Sequence, residues 1–183
     1  MSEFSQLVDL IAVLNQVDAG PGIRAAVHVE GQEESATCNI EARGELSTYR
    51  TIKRSGGFTR EITYRADKRQ AEIVDDGQLL AVQDEEFRIP LSAPELAMFR
   101  PLDLPMWGGS MDSHRVQSVS RINGGEFLLE AVMLGRDGQL GETVTIQISA
   151  EFGFVVRMRW NYCEYTTSNV EIAHMPNEWW PLG

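Results

Sequence analysis

The chain has 183 residues, of which 43% are hydrophobic, enough to build one domain with a real core and too apolar for disorder. Sixteen basic against 27 acidic side chains leave a formal net charge of −11, a field that repels phosphate backbones and argues against nucleic acid as a partner. The sequence holds no apolar run of about 18 residues that would embed it in a membrane. Its start, Met1-Ser2-Glu3-Phe4-Ser5-Gln6, lacks the basic stretch and small-residue cleavage site of a signal peptide. As written, that places it in the cytoplasm; a chain already trimmed of its leader would be exported.

Residues 3–17 carry Phe4, Leu7, Val8, Ile11 and Leu14 at helical spacing, with Leu10, Val13 and Val17 widening the stripe. This predicts a helix packed on a sheet, ended by Gly20-Pro21-Gly22. From Ile23 the period changes to two: Ile23, Ala25, Val27 and Val29 alternate with Arg24, Ala26, His28 and Glu30. Further strands are expected at 36–43, 46–54, 58–66, 70–75, 78–83, 85–90, 114–122, 126–134, 142–150, 154–161 and 163–172. Turn signals separate them at Ser55-Gly56-Gly57, Asp75-Asp76-Gly77, Asn123-Gly124-Gly125, Asp137-Gly138 and Gly153. So many short strands make a flat sheet untenable. The predicted fold class is mainly β with minor α: one domain over residues 1–183, a strongly curved antiparallel sheet or half-open barrel packed on the N-terminal helix and a short helical insertion.

That insertion is residues 92–113. Ser92 and Glu95 have capping-box spacing, Pro94 suits a first helical turn, and Pro101 is expected to stop the helix. Met98, Phe99, Met106, Trp107 and Met111 make the segment apolar enough to lie over or inside one mouth of the sheet. These residues either line a pocket for an irregular apolar ligand or plug the sheet as core; both have the same composition. At the other end of the chain, Trp179-Trp180 is expected to dock on the sheet, cap a mouth or meet a partner.

Catalytic signatures do not compete with this shape. His28, His114 and His174 show no ligand spacing, and no zinc, calcium or phosphate-loop motif is present, so no metal or cofactor is expected. Paired carboxylates such as Asp75-Asp76 and Glu85-Glu86 sit at or beside turns, where charges are solvated. Arg43, Arg50, Lys53, Arg54, Arg60, Arg65, Lys68 and Arg69 supply half of the positive charge. They form either a basic patch for an anionic headgroup or an outer face balanced by Glu41, Glu45, Glu61 and Asp67. Cys38 and Cys163 read as reduced core residues.

The order of elements also resembles a known group. The helix leads to Tyr49-Arg50-Thr51-Ile52-Lys53, then to Phe58-Thr59-Arg60-Glu61. Ala71-Glu72-Ile73-Val74-Asp75-Asp76-Gly77-Gln78-Leu79-Leu80 follows, and after the insertion come Val144-Thr145-Ile146-Gln147-Ile148 and Gly153-Phe154-Val155-Val156-Arg157-Met158. This resembles the LolA/LppX-like, lipoprotein-carrier-like superfamily. The resemblance implies an unclosed barrel with an apolar cavity that accepts acyl chains. It implies Phe58 and Arg60 on the aromatic–arginine strand, Asp76-Gly77 at a hairpin, and residues 92–111 as the lid.

The expected function is non-enzymatic binding of a hydrophobic ligand, a lipid or acyl chain, through Phe58, Arg60, Met98, Phe99, Met106, Trp107 and Met111. The alternative is a protein–protein interaction or regulatory module on the same scaffold with no ligand cavity.

Overall fold

The computed structural model describes residues 3–15, 22–32, 35–43, 48–65, 68, 70–84, 94–104, 106–107, 113–122, 125–135, 140–160 and 162–173. The expected strand at 85–90, Ser92, Met111 and the Trp179-Trp180 tail lie outside the described residues. The chain is gathered into two compact units, one of residues 1–17 and 97–166, the other of residues 18–96 and 167–183.

The second unit is a meander of hairpins. It contains β1 (Gly22–Glu30), β2 (Ser35–Arg43), β3 (Thr48–Ser55), β4 (Phe58–Arg65), β5 (Gln70–Asp75) and β6 (Gln78–Asp84). Each is antiparallel to the next, from Gly22↔Arg43 through Thr51↔Ile62 to Asp75↔Gln78. Two tight turns fix this register. Gly56 and Gly57 take φ of +54° and +88°, and Asp76 and Gly77 take +47° and +81°, the left-handed pairs that a two-residue hairpin loop demands. The second turn is latched to β4: the Thr59 amide donates to Asp76 Oδ1 and the Asp76 amide to the Thr59 carbonyl, both at 2.8 Å. Alternation then buries one face, made of Ile23, Ala25, Val27, Cys38, Ile40, Ile62 and Ala71.

The first unit contains α1 (Glu3–Asn15), the end of a 3₁₀ segment (Pro94–Phe99), a second 3₁₀ turn (Pro101–Asp103), β7 (His114–Ile122), β8 (Glu126–Leu134), β9 (Leu140–Ser149) and β10 (Val155–Trp160). β11 (Cys163–Ala173) begins here and ends in the other unit. Phe127, Leu129, Ile146, Ile148 and Met158 form the buried face of these strands, matched across by Leu129↔Ile146 and Met158↔Ile146.

One expectation is corrected here. α1 packs against β7 and buries Leu10 and Leu14, whereas Phe4, Val8 and Ile11 of the predicted stripe are 75%, 50% and 37% exposed. The helix is apolar on more than one side, and Leu7, Leu10 and Leu14 offer a second line at i, i+3 and i+7 that the sheet selects. The helical segment that starts at Pro94 ends at Phe99, before Pro101 as expected, and Pro101 opens a second 3₁₀ turn, where its missing N–H costs nothing.

Hydrogen bonding orders the strands β6-β5-β4-β3-β2-β1-β11-β10-β9-β8-β7. The order does not return on itself, so among the described residues this mainly β protein is a single eleven-stranded antiparallel sheet not closed into a barrel.

Candidate binding site

The predicted site residues fall in both units. In the first, the insertion supplies Met98, Phe99 and Met106, which are 0%, 3% and 2% exposed, with Leu104 at 5%. Irregular backbone carries them inward. The Arg100 amide donates to the Ala97 carbonyl at 3.2 Å, and the Leu104 amide to the Pro101 carbonyl at 3.1 Å. Such short 3₁₀ turns have sparse hydrogen bonds of poor geometry, so the segment holds its place mainly through its buried side chains. Phe99 lies against Phe154 with ring centroids 5.8 Å apart, and Phe154 stacks on Phe152 at 5.6 Å. Trp107 is half-buried, and its indole N–H donates to the Pro101 carbonyl at 2.8 Å, tying the end of the segment to its own second turn. Met98, Phe99 and Met106 are thus buried in the first unit, with Trp107 half-buried at the end of the same segment.

His114 has no role in the sequence reading because the three histidines show no ligand spacing. It is 5% exposed, packs against Trp160 with ring centroids 4.4 Å apart and planes tilted by 55°, and has Ser113 Oγ 2.8 Å from Nδ1. The available signal is its place at the start of β7, in period-two phase with Val116.

Phe58 and Arg60 lie in the second unit, on β4, two residues apart and on one face. The Arg60 guanidinium sits 5.5 Å from the centroid of the Phe58 ring, and Phe58 is 38% exposed. Arg60 makes a bidentate pair with Asp75, Nε and Nη2 each 2.7 Å from a carboxylate oxygen, because the register sets Arg60 opposite Asp75. The hydrogen bonds from Arg60 hold the Asp75 carboxyl below its ordinary value. Arg50 pairs likewise with Glu61 at 2.6 Å, and Arg24 with Glu41 at 3.0 Å. These three arginines are therefore balanced across strands.

Two cysteines are free. Cys38 is wholly buried in the second unit; burial first, and then the Glu95 carboxylate beside it, push its thiol up to about 12, against a smaller opposing pull from Lys53. Among the described residues no group of His, Cys, Asp and Glu is arranged to hold a metal ion, and no helix is long and apolar enough to cross a membrane.

The second unit also holds a cavity of about 320 Å³ among Arg24, Asn39, Glu41, Arg50, Asn169 and Glu171. None of the six predicted site residues among the described ones lines it.

No protein-family model matches the chain, and no curated protein does. Among solved structures, an uncharacterized conserved protein from Thermus thermophilus superposes with a TM-score of 0.54 at 11% identity, covering 92% of this chain and 88% of that one. MucB, also solved in complex with MucA, gives 0.40 at 15% identity, covering 95% of this chain and 61% of that one. A DUF1329 family protein from Desulfovibrio piger gives 0.35 at 9%, covering 93% and 92%. The Thermus likeness is one of fold, at an identity that carries no activity across.

Proposed function

We propose that the protein is a non-enzymatic binding protein that takes a lipid or acyl chain against the apolar sheet face of its first unit, with Met98, Phe99 and Met106 as a displaceable cover. The observation that carries this reading is the character of the cover: buried methionine and phenylalanine side chains on a backbone of two short 3₁₀ turns. Lifting such a segment breaks few backbone hydrogen bonds, whereas lifting a strand breaks a whole ladder. Methionine side chains adapt to irregular apolar shapes, and an acyl chain replacing them would recover about 25 cal/mol per Å² of apolar surface removed from water. The resemblance to lipoprotein-carrier-like proteins supports the same ligand class. Phe58 and Arg60 fall outside this proposed pocket, Arg60 being held by Asp75.

Native mass spectrometry of the freshly purified protein, followed by organic extraction, tests the proposal. A co-purifying mass that extracts as a lipid is expected, as is a change in Trp107 fluorescence when oleate is added, absent in W107F. A clean apo mass together with unchanged fluorescence overturns it.

One observation favours a partner-binding module instead. Among the described residues β6 ends the strand order, and its Leu79, Leu80 and Val82 are 62%, 63% and 55% exposed. An apolar edge strand is a template for another chain. Under that reading, L80K abolishes capture of the partner and leaves oleate binding unchanged.

A further inference from the structure

We propose that the second unit carries a site, independent of the apolar one, for a small zwitterion of the amino-acid or dipeptide type, on the outward face of β1, β2, β3 and β11. The cavity there, about 320 Å³, falls within the range of small-molecule pockets. Its shape follows from the register. Arg24, Glu41 and Arg50 form one row across three strands, all long and charged. The next row is Ala26, Asn39 and Ile52, and the alanine methyl leaves a hollow beside the charged wall. β11 supplies the other side with Asn169 and Glu171. Asn169 takes φ of +52° in mid-strand, a left-handed conformation that asparagine tolerates and that breaks the regular pleat beside the hollow.

The charges are arranged for a ligand that carries both signs. Arg24 is closed off by Glu41, with both Nε and Nη2 at 3.0 Å from the same carboxylate oxygen. Arg50 spends only Nε, on Glu61, and its terminal nitrogens make no hydrogen bond among the described residues. Glu171 is exposed and forms no ion pair among the described residues. The terminal nitrogens of Arg50, whose Nε alone is taken by Glu61, and the Glu171 carboxylate thus line one cavity, with no ion pair between the two among the described residues. A lone anion would meet Glu41 and Glu171, and a lone cation would meet Arg24 and Arg50. A zwitterion meets neither conflict: its carboxylate takes the Arg50 fork, its ammonium takes Glu171, and the Asn39 and Asn169 amides serve a peptide group between them. Ala26 and Ile52 accept only a small apolar side chain.

Titration calorimetry with L-alanyl-L-alanine on the full chain tests this, with sodium acetate and N-acetyl-alanyl-alanine amide as controls. The dipeptide is expected to bind and both controls to give no heat. R50Q and E171Q should each weaken binding at least about tenfold, the loss of one charge-assisted hydrogen bond, while circular dichroism confirms that they fold. E171Q breaks no ion pair among the described residues, so it stays informative even if R50Q is destabilised. Absence of dipeptide heat at concentrations up to about 10 mM, or acetate binding that E171Q leaves unchanged, overturns the proposal.

Discussion

The two units bury their sheet faces with side chains of different size. In the first, Phe127, Leu129, Ile146, Ile148 and Met158 are each 2% exposed or less. In the second, Ala25, Ala36, Ala42 and Ala71 are interleaved with Val27, Cys38, Ile40 and Ile62. Both are antiparallel hairpin meanders with the same two-residue period. Period sets which face is buried; side-chain volume sets what that face can do. A bulky face fills its own space and resists truncation, whereas an alanine-rich face gains less from each burial and is more easily overfilled.

The largest expected effect tests the bulky face. F127A, which removes a fully buried ring lying 4.8 Å beneath the Arg121 guanidinium, should cost about 3–5 kcal/mol in urea unfolding. A loss under about 1 kcal/mol, the size of a surface effect, would break the contrast. A71L on the other face should cost about 1–3 kcal/mol by overpacking; a stabilising result would mean that the alanine-rich face has room to spare.

The cysteines sharpen the comparison chemically. Cys38 should resist iodoacetamide in the native protein while half-buried Cys163 reacts, and both should label in urea. With its folded pKa raised from 9.0 to about 12, Cys38 also sets an alkaline limb: its contribution is intact below pH 9 and is lost as pH rises from 9 toward 12. C38A should flatten that limb. The smallest effects belong to the exposed charges. A double-mutant cycle on Arg50 and Glu61 should give about 0.2–1 kcal/mol, shrinking in salt. The lowered Asp75 value works in the opposite direction, its contribution being present above the ordinary carboxylate pKa, about 4, and lost as pH falls below it. D75N should remove that part of the acid limb.

Strand positions are largely legible in the chain because alternation reports burial directly. The pattern over residues 58–66 meets Phe58–Arg65 as β4, and that over 163–172 meets Cys163–Ala173 as β11. Pairing partners are not legible. Arg60 reads either as a contact for an anionic headgroup or as part of a balanced outer face until the register sets Asp75 opposite it, and that register is fixed by the turns at Gly56-Gly57 and Asp76-Gly77. The insertion is legible as buried, since Met98, Phe99 and Met106 are too apolar to face water. Lining and plug stay one reading there, since the same side chains serve both. The zwitterion hollow is invisible in the sequence because it depends on Ala26, a small residue at a polar position, and on neighbours from four strands. Single-strand patterns do not report on either.

The strand order has a consequence for synthesis. Among the described strands every hydrogen-bonded neighbour pair joins consecutive strands except one, β1 with β11. On the ribosome each hairpin can close soon after it emerges, while β1 waits for the last strand of the sheet. That one distant pairing carries most of the loop-closure entropy and should dominate the folding time. Until it forms, β1 is an open edge bearing Ile23, Ala25 and Val27, so nascent chains stalled before Cys163 are the species most exposed to aggregation.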